Sequence, residues 1–116
     1  MKANRNSLYQ HVEFLTQLRP FRNYLNLDSL EKVCDYLKAE LEKYGLVPSE
    51  QKFIVRGHEY KNILATYNFD PTRSQKRLIV GAHYDVCGDQ PGADDNASAV
   101  AGLLEIARMV AEAQPK

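Results

Sequence analysis

The run Leu78-Ile79-Val80-Gly81-Ala82 is the feature that most limits what this chain can fold into. A continuous apolar stretch bounded by polar segments marks a strand covered on both faces. Such a strand needs other layers above and below it. The expected fold class is therefore α/β, a layered sheet with flanking helices in which Leu78–Ala82 is central.

The segments around that run support the same architecture. Ser7 followed by Gln10 resembles a capping box, and Leu8, Val12, Leu15 and Leu18 then recur at helical spacing until Pro20 stops the helix. Asp28 and Glu31 make a second start of this kind. It predicts a helix over Asp28–Tyr44 with Leu30, Val33, Leu37, Leu41 and Tyr44 on one face and Gly45 as its left-handed cap. After Pro48 the period changes. Lys52–Val55 reads as a strand, Gly57-His58 as a turn and Tyr60–Tyr67 as the returning strand. A polar loop from Asp70-Pro71 to Lys76 leads into the apolar run, and a Gly- and Asp-rich loop follows it to Asn96. Ala97–Ala113 then predicts a third helix, with Val100, Leu103, Leu104, Ala107 and Val110 turned inward. No repeat or low-complexity segment interrupts this order.

Composition removes several function classes. The 116 residues are 44% hydrophobic and 26% charged, which suits one domain with an ordinary core. Fifteen basic residues balance fifteen acidic ones, so no basic stripe supports nucleic-acid binding. No apolar run is long enough to span a bilayer. The basic start MKANRNSLYQ has no hydrophobic core after it, which argues against an intact signal peptide and is compatible with a cytoplasmic protein or an exported one already processed. Cys34 and Cys87 have neither metal-ligand spacing nor the number for a disulfide framework, and are expected to be free thiols. His11 reads as an ordinary helix residue, His58 as a solvated turn residue, and Glu105 with Arg108 as an i,i+3 surface pair.

Chemistry concentrates in Gly81-Ala82-His83-Tyr84-Asp85 and Pro91-Gly92-Ala93-Asp94-Asp95-Asn96-Ala97-Ser98. His83 falls at the C-terminal end of the apolar run, where open α/β sheets place their ligand crevice. Residues two apart on an extended segment point the same way, so Asp85 can lie beside His83. A carboxylate that accepts from one imidazole nitrogen fixes the tautomer and frees the other nitrogen for a metal. Asp94 and Asp95 arrive on a tight loop before a helix, where a carboxylate can be held rigidly between cations. Each part has a plainer reading: His83 as a hydrogen-bonded histidine, and Asp94 or Asn96 as a helix cap. The strand, the His-x-Asp, the short loop and the amphipathic helix in this order are more specific than any of them alone.

From Leu78 to Val110 the chain resembles the first metal-binding region of the M28 family of zinc aminopeptidases. The likeness continues through Glu105 and Arg108, and more weakly through the N-terminal helices, Gly45-Leu46 and Asn62-Ile63-Leu64. Ala99 stands where that family often has Gly. The resemblance implies an incomplete zinc-exopeptidase (phosphorylase/hydrolase-like) fold. Residues 1–116 would be the N-terminal portion of the catalytic domain, with 1–48 a helical lead-in and 49–116 the strands, metal-binding loop and helix. It implies that His83 ligates one zinc, that Asp95 bridges two zinc ions, that Asp85 orients His83, and that the Asp95-Asn96 peptide bond is cis. In that family a Glu-Glu pair, an Asp and a His complete the centre, and they normally lie downstream of a point this chain does not reach.

The implied function is a metallopeptidase that removes N-terminal residues from peptides, with peptide as substrate in the complete enzyme and the isolated chain inactive. An M20-type metallopeptidase or deacylase also uses His-x-Asp after a strand, but the short loop to Asp-Asp-Asn-Ala-Ser favours M28. Glutaminyl cyclase relatives usually carry a single Asp at this place. A non-catalytic M28-like interaction module is the alternative outside enzymes. An unpaired edge at Leu78–Ala82 would favour self-association.

Overall fold

Asn4 opens the first helix. Its side chain accepts from Ser7 N–H at 3.1 Å, supplying a partner for one of the donors that a helix start leaves free. The computed structural model, which describes residues 1–116, has α1 at Arg5–Gln17. Ser7 therefore lies inside the helix, and the cap is three residues earlier than the Ser-x-x-Gln pattern predicts. Helix α2 spans Leu27–Lys43 and buries Leu30, Val33, Leu37 and Leu41 as the periodicity predicts. Its end is closed by Gly45 N–H to the Glu42 carbonyl and Leu46 N–H to the Leu41 carbonyl. Gly45 takes φ +80°, the left-handed conformation this cap requires.

The two strands form an antiparallel hairpin, β1 Ser49–Val55 and β2 His58–Leu64, in register from Ser49 opposite Leu64 to Val55 opposite His58. Arg56 and Gly57, between them, have φ +51° and +81°. Two positive φ values define the tight turn whose twist matches that of the strands it joins. Lys61 ties the hairpin to α2 through Glu31 at 2.8 Å, and Lys38 does the same through Glu50 at 2.7 Å. Helix α3, Ser98–Ala113, closes the domain. No helix is long and apolar enough to cross a membrane.

The core forms where the helices meet. Leu15 from α1, Val33, Leu37 and Leu41 from α2, Ala97, and Val100 and Leu104 from α3 make one cluster, with Ile63, Ala82 and Tyr84 packed against it. Each fully buried aliphatic side chain here contributes about 1.5–3 kcal/mol. Glu105 corrects its expected place on the surface. Its side chain is 3% exposed, and it accepts from Arg108 and from the Asn4 backbone N–H, so it links the start of α1 to α3.

Leu78–Ala82 corrects the central expectation of the sequence. It belongs to no strand, and Leu78, Ile79 and Val80 are 90%, 87% and 49% exposed. The sheet has two strands only, and those two pair with each other. No backbone–backbone hydrogen bond reaches residues 74–85. The apolar run has the composition of an inner strand, but none of the 116 residues supplies the neighbour that a ladder needs. Alternation begins only at its end: Ala82, Tyr84 and Val86 face the core while Gly81, His83 and Asp85 are exposed.

Candidate functional site

That alternation sets out the site. Tyr84 is the anchor on the covered side, its hydroxyl donating to the Lys61 carbonyl at 2.5 Å and lying 3.3 Å from Cys34 Sγ. Burial pushes the Tyr84 phenol far above its usual pKa, so it stays a donor. With Tyr84 turned inward, His83 and Asp85 on either side of it must both face out.

A second segment meets them. Gly92, at φ +60°, begins a wide turn that Ala97 N–H closes onto the Gly92 carbonyl at 3.0 Å. Within this turn Asp95 and Asn96 leave helical backbone values, and the peptide bond between them is cis. From this turn Asp95 faces His83. The imidazole of His83 lies between two carboxylates, with Nδ1 3.2 Å from Asp85 Oδ1 and Nε2 3.0 Å from Asp95 Oδ1. All three side chains are more than half exposed. Asp94 does not join them: its carbonyl accepts from Ser98 Oγ at 2.9 Å. His11 and His58 lie elsewhere. His11 is buried on α1 with Nδ1 2.6 Å from Tyr36 Oη, and His58 is exposed at the start of β2.

One residue of the neighbourhood had no signal in the sequence. Arg22 follows Pro20 and Phe21 in the irregular link between α1 and α2, where no period applies. Its side chain nevertheless reaches the carbonyls of Tyr84 and Gly92, on the two segments that carry the site. Only the unusual burial of an arginine, 1% exposed, gives it away, and that is a property of the fold.

Residues 38–116 match the model of Peptidase family M28. The chain belongs to this family. Two curated relatives match nearly the whole chain. The uncharacterized protein YfbL of Escherichia coli (strain K12) is 38% identical over 98% of this chain and 37% of its own length. Leucine aminopeptidase 1 of Pyrenophora teres f. teres (strain 0-1) is 25% identical over 94% of this chain and 30% of its own length. The chain thus spans about a third of the length of the curated relatives it matches. M28 membership agrees with the mixed α/β architecture, and residues 83, 85 and 95 fall within the matched span.

The donor set suits zinc in kind, since imidazole nitrogen and carboxylate oxygen are both ordinary zinc ligands. It also suits zinc in spacing, because two ligands on one tetrahedral ion stand about 3.4 Å apart when each bond is about 2.0–2.2 Å. Nε2 and Oδ1 at 3.0 Å are near that edge. His83 and Asp95 face each other across one point, and no group of three or more His, Cys, Asp and Glu side chains in these 116 residues is arranged to hold a metal ion by itself.

Proposed function

We propose that this chain carries part of the metal centre of an aminopeptidase-type exopeptidase, with His83 and Asp95 holding zinc and Asp85 orienting His83. The observation that carries the reading is the placement of one imidazole between two carboxylates. A neutral imidazole has one N–H. If that proton sits on Nδ1 and faces Asp85, then Nε2 and Asp95 Oδ1 oppose each other as two lone-pair donors at 3.0 Å. A shared cation, a proton or a metal ion, satisfies such a pair. Asp95 has a second oxygen and is the most exposed of the three side chains, which suits a carboxylate that spans two ions.

Zinc, when bound, supplies a water activated near neutral pH and polarises the carbonyl of the scissile bond. The residues of this chain have narrower tasks. His83 presents Nε2 as a ligand, and Asp85 keeps the Nδ1 proton in place so that Nε2 stays free of one. Asp95 adds negative charge opposite Nε2. With two donors here and about three protein ligands usual for each catalytic zinc, the remaining ligands and the general base belong to the rest of the whole protein. M28 membership and the leucine aminopeptidase relative support peptide N-termini as substrate.

The test is made on the full-length protein. Bound zinc is counted by plasma mass spectrometry, and release of the N-terminal residue is followed with aminoacyl anilides. We expect stoichiometric metal and turnover in the wild type, and loss of both in His83→Ala and Asp95→Ala. Stoichiometric zinc retained in both variants would sink the assignment.

A further inference from the structure

We infer that Arg22 is a positioning residue for the proposed site: its buried guanidinium locks the segment carrying His83 and Asp85 against the turn carrying Asp95. The inference deepens the reading of His83 and Asp95 as metal ligands, but its structural part stands on hydrogen bonds alone.

Four N–H bonds fix the guanidinium. Nε donates to the Tyr84 carbonyl at 2.7 Å, Nη1 to the carbonyls of Leu15 at 3.0 Å and Pro91 at 2.6 Å, and Nη2 to that of Gly92 at 2.9 Å. Tyr84 is the residue between His83 and Asp85. Gly92 opens the turn that ends at Ala97, and its carbonyl accepts from Ala97 N–H as well. One planar group therefore touches both segments and the end of α1. The backbone of Arg22 adds a return bond, from Val86 N–H to its carbonyl at 3.1 Å. Next to it, Asn23 Nδ2 donates to the Gly88 carbonyl at 3.0 Å and to Asp89 Oδ1 at 3.2 Å.

Backbone pairing does not make this link. Residues 74–85 make no backbone–backbone hydrogen bonds, so no sheet ladder sets where His83 stands relative to Asp95. No carboxylate is bonded to the guanidinium either. The group is buried among carbonyls, a costly arrangement unless nearly every donor is used. Lysine cannot reproduce it: a single ammonium nitrogen cannot reach carbonyls on three segments at once, whereas the rigid fork of arginine can.

The experiment compares full-length wild type, R22K and R22M. Cobalt(II) affinity is titrated by visible absorption at a temperature where each protein is folded. Hydrogen exchange is measured on the metal-free proteins, peptide by peptide. We expect both variants to bind cobalt about 10–100-fold more weakly per folded molecule, the usual effect of losing a partner that orients ligands. Exchange should quicken in 84–97 while α2 and the hairpin keep their protection. Wild-type affinity together with unchanged exchange in R22K and R22M would overturn the inference. Uniform loss of protection over the whole chain would overturn it too, because Arg22 would then be a general stabiliser. Should the wild type bind neither cobalt nor zinc, the metal reading fails, and exchange in 84–97 alone decides the role of Arg22.

Discussion

A Cβ atom at Gly92 would collide with Val86 Cγ1. It would also come within 2.6 Å of the Asp95 carbonyl and 3.2 Å of Arg22 Nη2, and the residue already holds φ +60°. Glycine is required twice here, for the space and for the backbone conformation. Gly92→Ala is expected to lose roughly 1–3 kcal/mol of stability from overpacking, read from the urea midpoint. An unchanged midpoint would show that Val86 can move aside at no cost.

Asp85→Asn is the sharpest test of how the histidine is used. The amide keeps the shape but no longer offers a charged acceptor to Nδ1. Zinc affinity in the full-length protein should fall about 10–100-fold while the melting temperature hardly moves, since both side chains are more than half exposed. Titration calorimetry checks the first and scanning calorimetry the second. Equal affinities would leave Asp85 without the orienting role.

Acid should weaken the fold in two stages. Burial lowers the pKa of His11 below 6.5, with Glu40 and Glu105 pulling the other way and Lys43 adding to the fall. A histidine kept neutral in the fold but free to charge when unfolded contributes stability above pH about 6.5 and loses it as pH falls toward its folded value. Glu105 has its pKa lowered by Arg108 and by Asn4 N–H, against burial. Its contribution is complete above about 4.5 and fades as pH drops through the lower folded value. In urea melts across pH 3–8, His11→Gln should flatten the upper stage and Glu105→Gln the lower. A wild-type acid limb retained in either variant would reject that group as its source.

The exposed Leu78, Ile79 and Val80 predict the solution behaviour of residues 1–116 alone. Contiguous apolar side chains beside backbone groups without partners invite association. Light scattering after size exclusion should find species larger than a monomer, reduced by Ile79→Lys. A clean monomer from the unmodified chain would show that these side chains do not drive contact.

Legibility in the sequence depended on how local the determining physics was. Helix α2, its glycine cap and the hairpin were readable because spacing and turn chemistry act within a few residues. His83 and Asp85 could be paired for the same reason, as alternation fixes neighbours two apart. The cap of α1 moved to Asn4 because Asn competes with Ser for the same task and begins one turn sooner. Leu78–Ala82 misled, since apolar composition states what a strand prefers around it and cannot supply the neighbour. Glu105 looked like half of a surface pair, yet its burial depends on Asn4, far away in sequence. Arg22 left no trace at all. Its acceptors are carbonyls, and any sequence has carbonyls.

Cys87 lies two residues beyond Asp85 and is exposed, while Cys34 is buried and its thiol is pushed up by burial. A thiol of raised pKa is a poor nucleophile at neutral pH. Within these 116 residues an electrophilic dye or spin label would thus find one sulfur, on the same loop that Arg22 and Asn23 hold from behind. A probe at Cys87 therefore reports on that loop from the solvent side, leaving the core untouched.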